Sequence, residues 1–144
     1  MSAIQPWCYL IGIHPKKLTK EESLLFEAEI FARICEEIKE VFRCEYKEFF
    51  RLMNFTIEME EAMLEAGFLR LIINDILVTG EYDLKGIAYY ANTHEDVVQE
   101  VIAGVNTNPS AAFLQKIIEL HRSVRRDLYH VLMQKIVKEY HVAA

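Results

Sequence analysis

The residue types that most often carry chemistry are present in this sequence, but their spacing fits none of the common reactive motifs. The histidines are His14, His94, His121, His130 and His141, and the cysteines are Cys8, Cys35 and Cys44. Neither set shows HExxH, HxxxH or a paired Cys/His spacing, so the sequence predicts no zinc site. The Glu-x-x-His, GxGxxG, P-loop and GxSxG patterns are also missing from the sequence. We therefore expect no enzymatic activity, no catalytic residues, no metal and no cofactor.

The charges are divided unevenly along the chain. The whole chain has 16 basic and 22 acidic groups, a net charge of −6 and a pI near 5.4. Residues 1–109 hold 10 basic and 19 acidic groups, or −9, whereas residues 110–144 hold six basic and three acidic groups, or +3. Non-specific binding to nucleic acid depends on Lys and Arg that neutralise phosphates, so the total charge excludes a general nucleic-acid coat. Any nucleic-acid role has to come from a local basic patch.

The cysteines and the N-terminus bear on the cellular compartment. Three cysteines without a CxxC pair do not form a disulfide framework, and this favours a reducing compartment. The apolar stretch Met1–Ile13 lacks a basic flank and a small-residue cleavage site, so it does not have the pattern of a signal peptide. The apolar stretches are also far shorter than the roughly 18 residues that a membrane span needs. We expect a cytoplasmic protein with no membrane partner.

The elements that would position the polar residues are helices. Apolar residues recur at steps of three and four, without a useful strand-like alternation, and this predicts an all-α fold of five or six helices. Thr19 and Glu22 have capping-box spacing, and the helix that follows is expected to run to about Met53. Its apolar face is expected to contain Leu24, Leu25, Ala28, Phe31, Ala32, Cys35, Ile38 and Phe42.

The remaining helix boundaries follow from capping and turn residues. A second helix is expected from Asn54 or Thr56 to Gly80. It carries the apolar residues Met59, Met63, Leu64, Phe68, Leu71, Ile72 and Ile76. A short third helix follows Asp83, Thr93 caps a fourth, and Asn108–Pro109 starts the next. The last region forms an amphipathic helix, either continuous with the previous helix or broken near Ser123. Its stripe contains Val124, Leu128, Leu132, Ile136 and Tyr140.

Residues 83–104 carry the pattern that bears most directly on function. They read DLKGIAYYANTHEDVVQEVIAG, which predicts two short helices joined by a tight turn. Ala88 is the small residue that lets the helices approach each other, and Asn92 tolerates the left-handed conformation that the turn requires. Val98 and Val101 are spaced to pack back on the first helix. This pattern is typical of a helix-turn-helix pair.

Together with its flanks, this segment resembles the λ-repressor/Cro-like (XRE-type) helix-turn-helix transcriptional regulators. LEAGFLRLIINDIL resembles the helix that precedes the motif in that family, and GVNTNPSAAFLQKIIEL resembles its glycine, asparagine–proline loop and following helix. The likeness covers residues 64–122, about two fifths of the chain. It implies a λ-repressor-like helix-turn-helix domain over 64–122, between an N-terminal helical extension (1–63) and a C-terminal amphipathic helix (123–144).

The resemblance also implies which residues contact DNA. In that family the second helix of the motif enters the major groove, and its first residues contact base edges. The corresponding candidates here are Thr93, His94, Asp96 and Gln99. The candidates for contacts with the DNA backbone are Asn106, Ser110, Lys116, Arg122, Arg125 and Arg126. The implied function is that of a transcriptional regulator that binds duplex DNA as a homodimer.

One departure from the family pattern supports a second interpretation. Glu95, Asp96 and Glu100 place three negative charges on the implied recognition helix, and no Lys or Arg lies between Thr93 and Pro109. Because a fold does not fix a function, the alternative is an adaptor that uses this acidic helix to bind a basic protein partner. The basic stretch 121–126 is correspondingly either a contact for phosphate or an acidic partner, or a solvated helix face.

Residues 1–63 carry no family signature and are expected to serve in dimerisation or partner binding. Two surfaces are candidates for a homodimer contact. One is the aromatic group Phe42, Tyr46, Phe49 and Phe50, for which packing against the second helix is the alternative role. The other is the stripe of the final helix, and the sequence leaves both open.

Overall fold

The described part of the chain is helical, which confirms the predicted all-α class. The computed structural model describes residues 19–106 and 109–143. Within these ranges the helices are α1 (Lys20–Glu45), α2 (Lys47–Leu52), α3 (Ile57–Thr79), α4 (Leu84–Tyr90), α5 (Glu95–Ile102), α6 (Ala111–Val124) and α7 (Arg126–Ala143). None of the helices described here has the length and apolar composition to cross a membrane. The apolar stretch Met1–Ile13 and the Asn108 cap lie outside the described residues.

The helix that was expected to continue to Met53 is interrupted at Tyr46, so α1 and α2 are separate. Tyr46 has φ −97° and ψ 10°. Its N–H still donates to the Phe42 carbonyl at 2.9 Å, and the Phe50 N–H donates to the Tyr46 carbonyl at 3.0 Å. Because the i to i−4 hydrogen bonds continue across the break, the apolar periodicity gives no sign of it. This break brings the helices to seven in the described ranges.

Several predicted helix ends are confirmed by their hydrogen bonds. The Thr19 N–H donates to Glu22 Oε1 at 3.2 Å, and the Glu22 N–H donates to Thr19 Oγ1 at 3.1 Å, which is the capping box. Gly80 ends α3 with φ 77°, a conformation that costs glycine little. Arg125, with φ −123° and ψ 53°, separates α6 from α7. The final region is therefore broken, which was one of the two predicted alternatives.

Two predicted helix starts are wrong by one or two residues. Thr93 does not cap α5; His94 takes that position without a side-chain hydrogen bond. The Thr93 N–H instead donates to the Ala88 carbonyl at 3.0 Å, so Thr93 closes the preceding helix. Pro109 is not the first residue of α6 either, because Ser110 Oγ accepts the Phe113 N–H at 3.2 Å and caps a helix that starts at Ala111.

The chain forms two compact units. One unit spans Phe42–Arg126, and the other combines the residues up to Val41 with those from Asp127 onward. The division at residues 63 and 122 that the resemblance implies stays a prediction.

The unit Phe42–Arg126 is built around α3. Helix α3 packs against α5 and α6, and α4 packs against the same two helices. Phe42 meets Phe68 edge to face at 6.5 Å, which is the packing role predicted as the alternative for this aromatic group. Of the apolar residues on helix α3, Met59 is exposed. The buried apolar side chains are Phe42, Phe50, Leu64, Phe68, Leu69, Ile72, Ile73, Ile76, Ile87, Ala88, Val98, Val101, Phe113, Ile117, Ile118 and Leu120.

In the other unit, α1 and α7 are joined by ion pairs beside a small core. Lys135 Nζ donates to Glu37 Oε2 at 2.8 Å, and Arg33 pairs with Glu139. The buried apolar residues are Ile30, Ile34, Ile38, Tyr129, Leu132, Met133 and Ile136. The predicted face of the first helix is therefore rotated, because Leu24 and Leu25 are exposed and the buried row follows steps of four from Ile30. Apolar residues surround much of α1, and periodicity alone does not choose between neighbouring rows.

Candidate nucleic-acid interface

The candidate site is built on α4, α5 and the turn between them. Asp83 Oδ1 accepts the Gly86 N–H at 2.7 Å and caps α4. At the other end, Asn92 has φ 55°, as the sequence predicts. The Asn92 N–H donates to the Tyr89 carbonyl at 3.1 Å, and the Thr93 N–H to that of Ala88. This pair of bonds around a left-handed residue is a Schellman turn, which ends α4 before α5 begins.

Apolar residues hold α5 in place. Ile87 and Ala88 are the buried residues of α4, and Val98 and Val101 are those of α5. The two helices pack against each other, and both belong to the core around α3. A Schellman turn centred on Gly104 ends α5, with the Val105 N–H bound to the Glu100 carbonyl at 2.9 Å. The position of α5 is thus fixed at both ends and along one face.

The opposite face of α5 is polar and exposed. His94, Asp96, Gln99 and Glu100 are exposed, and Thr93 and Glu95 are partly buried. The four predicted base contacts therefore lie along one short helix and the turn that precedes it. Helix α5 contains Glu95, Asp96 and Glu100 but no basic residue, so the exposed face is acidic.

The predicted backbone contacts are spread over the segment after α5. Asn106 is partly buried, and its N–H donates to the Glu100 carbonyl at 3.1 Å. Ser110 caps α6, and the start of this helix carries backbone N–H groups of the kind that bind phosphate. Lys116 is exposed and lies 3.7 Å from the Glu119 carboxylate, whereas Arg122 is partly buried on the same helix. Arg126, the first residue of α7, is exposed.

Arg125 is engaged inside its own unit. Its Nη1 donates to both carboxylate oxygens of Asp75 on α3, at 2.8 and 2.7 Å. His121 Nε2 lies 2.6 Å from Asp75 Oδ2, and its side chain is fully buried. Burial lowers the pKa of His121, although the hydrogen bond and the charge of Asp75 act in the opposite direction. We call Asp75, His121 and Arg125 the α3–α6 cluster.

Sequence reasoning missed Asp75 and treated His121 as a surface residue. At both positions the helical pattern places a polar residue among apolar ones. Asp75 follows Ile72 by three residues and precedes Ile76, and His121 follows Ile117 by four. Both polar residues therefore fall on apolar faces, where a buried polar group needs a partner. The pairing itself joins residues 46 positions apart, which no local pattern indicates.

The two tyrosines of α4 differ from each other. Tyr89 is almost fully exposed. Tyr90 is about one-third exposed, and its hydroxyl donates to Glu119 Oε2 of α6 at 3.4 Å. Burial and, next, the charge of Glu119 raise the pKa of Tyr90. Of the two tyrosines, Tyr90 is the one whose hydroxyl bonds to the following helix.

Among the described residues, no group of three or more His, Cys, Asp or Glu side chains is placed to hold a metal ion. No family model, no curated protein and no solved structure matches the chain.

Proposed function

We propose that the chain is a cytoplasmic, DNA-binding transcriptional regulator of the helix-turn-helix type that acts as a homodimer. The observation that carries this proposal is the α4–α5 pair. Its Schellman turn at Asn92 and its buried Ala88 and Val98 are what a helix-turn-helix pair requires. The polar residues left exposed are those that would face the major groove.

The exposed residues of α5 have side chains that discriminate between bases. Gln99 offers an amide that pairs with the N6 and N7 atoms of adenine, and Asp96 offers a carboxylate that accepts from the N4 amino group of cytosine. Both are exposed and lie three residues apart, on neighbouring turns of the same face. His94 stands at the helix start, where the family places contacts to bases or phosphates.

Contacts with the DNA backbone would come from outside α5. Lys116 and Arg126 are exposed, and Arg122 is partly exposed. Each phosphate that a basic side chain neutralises contributes about −0.9 to the slope of log affinity against log salt. Arg125 is a weaker candidate than the sequence suggests, because Asp75 already holds its guanidinium. Replacing Lys116 with Ala is therefore expected to weaken binding to every duplex alike and to make the slope shallower by about one per site.

The decisive experiment is selection from a random duplex pool, followed by binding titrations with single-residue variants. Gln99→Ala is expected to relax the preference at one base position and to cost about 1–3 kcal/mol on the preferred site. Gln115→Ala is the matched control, since Gln115 is an exposed glutamine on α6. A pool in which no sequence is enriched would overturn the proposal.

The acidic face of α5 favours a second candidate function, that of an adaptor for a basic protein. Asp96 and Glu100 are exposed, Glu95 is half-buried, and α5 has no Lys or Arg. Such a face repels phosphates and attracts a Lys- or Arg-rich segment.

One double variant separates the two functions. Glu95→Lys with Glu100→Lys is expected to strengthen non-specific duplex binding if α5 lies against DNA, because two negative charges become positive and the net charge rises by about four units. The same variant is expected to lose binding to a polylysine peptide if α5 is an adaptor surface. Unchanged peptide binding would exclude the adaptor function for this face.

A further inference from the structure

The α3–α6 cluster consists of one carboxylate that two basic side chains share. Asp75 Oδ2 lies 2.6 Å from His121 Nε2 and accepts a hydrogen bond from Arg125 Nη1 at 2.7 Å, while Oδ1 accepts from the same Nη1 at 2.8 Å. The His121 side chain is fully buried, whereas the side chains of Asp75 and Arg125 are 19% and 33% exposed. The carboxylate therefore has one partner that is sealed from water and one that reaches it.

The charge of the cluster depends on the protonation of its histidine. A carboxylate only accepts hydrogen bonds, so a neutral His121 ring carries its proton on Nε2, and a second proton has to enter at Nδ1. While the ring is neutral, the negative charge of Asp75 balances the positive charge of Arg125. Once the ring is doubly protonated, one carboxylate faces two cations. The cluster then holds an unbalanced positive charge in a partly dehydrated place, which is energetically costly.

Arg125 is the member of the cluster that can leave. His121 lies on the buried face of α6, one turn after Ile117, so its ring cannot move out without opening the core. Arg125 follows the last residue of α6, and among the described residues its side-chain bonds use Nη1 alone. The guanidinium nitrogens Nε and Nη2 also donate, so they are left for another acceptor. When the cluster holds excess charge, the exposed guanidinium rather than the buried ring is the group that turns to solvent.

Two charged groups act on the His121 ring, Asp75 from α3 and Arg125 from the end of α6 itself. Helix α4 also packs against α6, but its titratable side chains are exposed, and one of them bonds to Glu119: Lys85, Tyr89 and Tyr90. Burial lowers the pKa of His121, the contact with Asp75 raises it, and the charge of Arg125 lowers it. Departure of Arg125 from Asp75 therefore favours the protonated ring.

A released Arg125 guanidinium joins other basic side chains at the same end of its unit. Arg122 lies three residues earlier and is partly buried, and Arg126 follows directly and is exposed. Residues 120–126 read LHRSVRR and include no acidic residue. Neighbouring guanidinium groups repel each other unless an anion lies among them, and a phosphate accepts hydrogen bonds from several of them at once. The ligand that fits the released side chain is therefore a phosphate group.

We propose that Arg125 is a proton-controlled contact for a phosphate of the duplex backbone: Asp75 holds it while His121 is neutral, and protonation of His121 releases it to the phosphate. Binding of duplex is then coupled to the uptake of a proton at His121. The coupling is reciprocal, because the phosphate and the proton each favour the state in which Arg125 has left Asp75. This inference rests on the proposed function and adds the regulation of its phosphate contacts by pH.

The first test needs no DNA and follows the His121 ring of the full chain by NMR as the pH is lowered. Arg125→Gln removes the cation that competes for Asp75, so the pKa of His121 is expected to rise. Arg126→Gln is the matched control, because Arg126 is the next residue and is exposed, and it should leave that pKa where it is in the native chain. Circular dichroism checks that both variants keep their helices. An unchanged pKa of His121 in Arg125→Gln would overturn the inference.

The second test measures the affinity for a selected duplex from pH 7 to pH 5 at constant salt, with circular dichroism at each pH. The affinity of the native chain is expected to rise more steeply with falling pH than that of His121→Asn, by at most about tenfold per pH unit, the limit for one proton. His130→Asn is the matched control, because His130 is an exposed histidine of α7, and it should keep the native slope. His94 is present in all three chains, so its own titration cancels from the comparison.

The two proposals fail in different ways. A chain that binds duplex with the same pH slope in its native form and in His121→Asn overturns the proton-controlled contact and leaves the proposed function standing. A chain that binds no duplex at any pH overturns the proposed function, and with it the duplex phosphate as the partner of Arg125.

Discussion

Each compact unit contains charged side chains that join two helices, and the two clusters differ in how far water reaches them. In the α3–α6 cluster, His121 is fully buried, and the Asp75 side chain is one-fifth exposed. The other unit has an α1–α7 cluster, which consists of Arg33, Glu37, Lys135 and Glu139. In that cluster only Glu37 is buried, while the Lys135 side chain is more than half exposed.

This difference in exposure predicts different energetic roles. An exposed ion pair contributes about 0–1 kcal/mol, because water solvates the separated charges nearly as well. A buried cluster depends on every member, because removal of one partner leaves the others desolvated and unpaired. We therefore expect the α3–α6 cluster to be essential to its unit and the α1–α7 cluster to be a minor contribution to the other.

The largest predicted effect is that of Asp75→Ala. This change leaves the buried ring of His121 without its carboxylate and the Arg125 guanidinium without its counter-charge. The free energy of unfolding is expected to fall by about 3 kcal/mol, the lower end of the cost of breaking a buried pair. Chemical denaturation followed by circular dichroism measures it.

The matched control for Asp75→Ala is Glu37→Ala in the α1–α7 cluster. Glu37 is also a helix carboxylate with a basic partner on another helix, but that partner, Lys135, is more exposed. The expected loss is about 1 kcal/mol. Equal losses for the two variants would contradict the distinction between the clusters.

The second prediction concerns pH. Burial lowers the pKa of His121 in the folded chain below the ordinary value of 6.5, while Asp75 and Arg125 are the charged groups that face it. Below pH 6.5 the unfolded chain therefore binds a proton that the folded chain does not, so stability falls as the pH falls. The loss is at most about 1.4 kcal/mol per pH unit in the window between 6.5 and the lowered value.

His121→Asn isolates this contribution. The asparagine retains an N–H donor for Asp75 but does not titrate, so the unfolding free energy should decline less steeply from pH 7 to pH 5 than that of the native chain. The α1–α7 cluster has no histidine and serves as the internal contrast, because Lys135→Ala should leave the pH slope unchanged. If the unfolding free energy of His121→Asn declined more steeply with falling pH than that of the native chain, the pKa of His121 would be raised by folding rather than lowered.

The two clusters also show which features of the structure the sequence does not predict. The helices, the Asn92 turn and the Gly80 end follow from local patterns, because caps and left-handed residues act within a few positions. The Asp75–His121 pair joins α3 to α6 across 46 positions, and the Glu37–Lys135 pair joins α1 to α7 across 98. Such pairs depend on how helices pack, which periodicity does not specify. For the same reason Arg125 was predicted as a phosphate contact, whereas the structure pairs it with Asp75.

The smallest predicted effect is the coupling between Glu37 and Lys135 in a double-mutant cycle. With the Lys135 side chain 56% exposed, the interaction energy is expected to be about 0.5 kcal/mol and to shrink in 1 M salt, where screening acts within about 3 Å. The Asp75–Arg125 cycle should give a larger value that resists salt, because protein shields both charged groups in part. If salt reduced both couplings equally, water would have the same access to both clusters, and burial would not be what separates them.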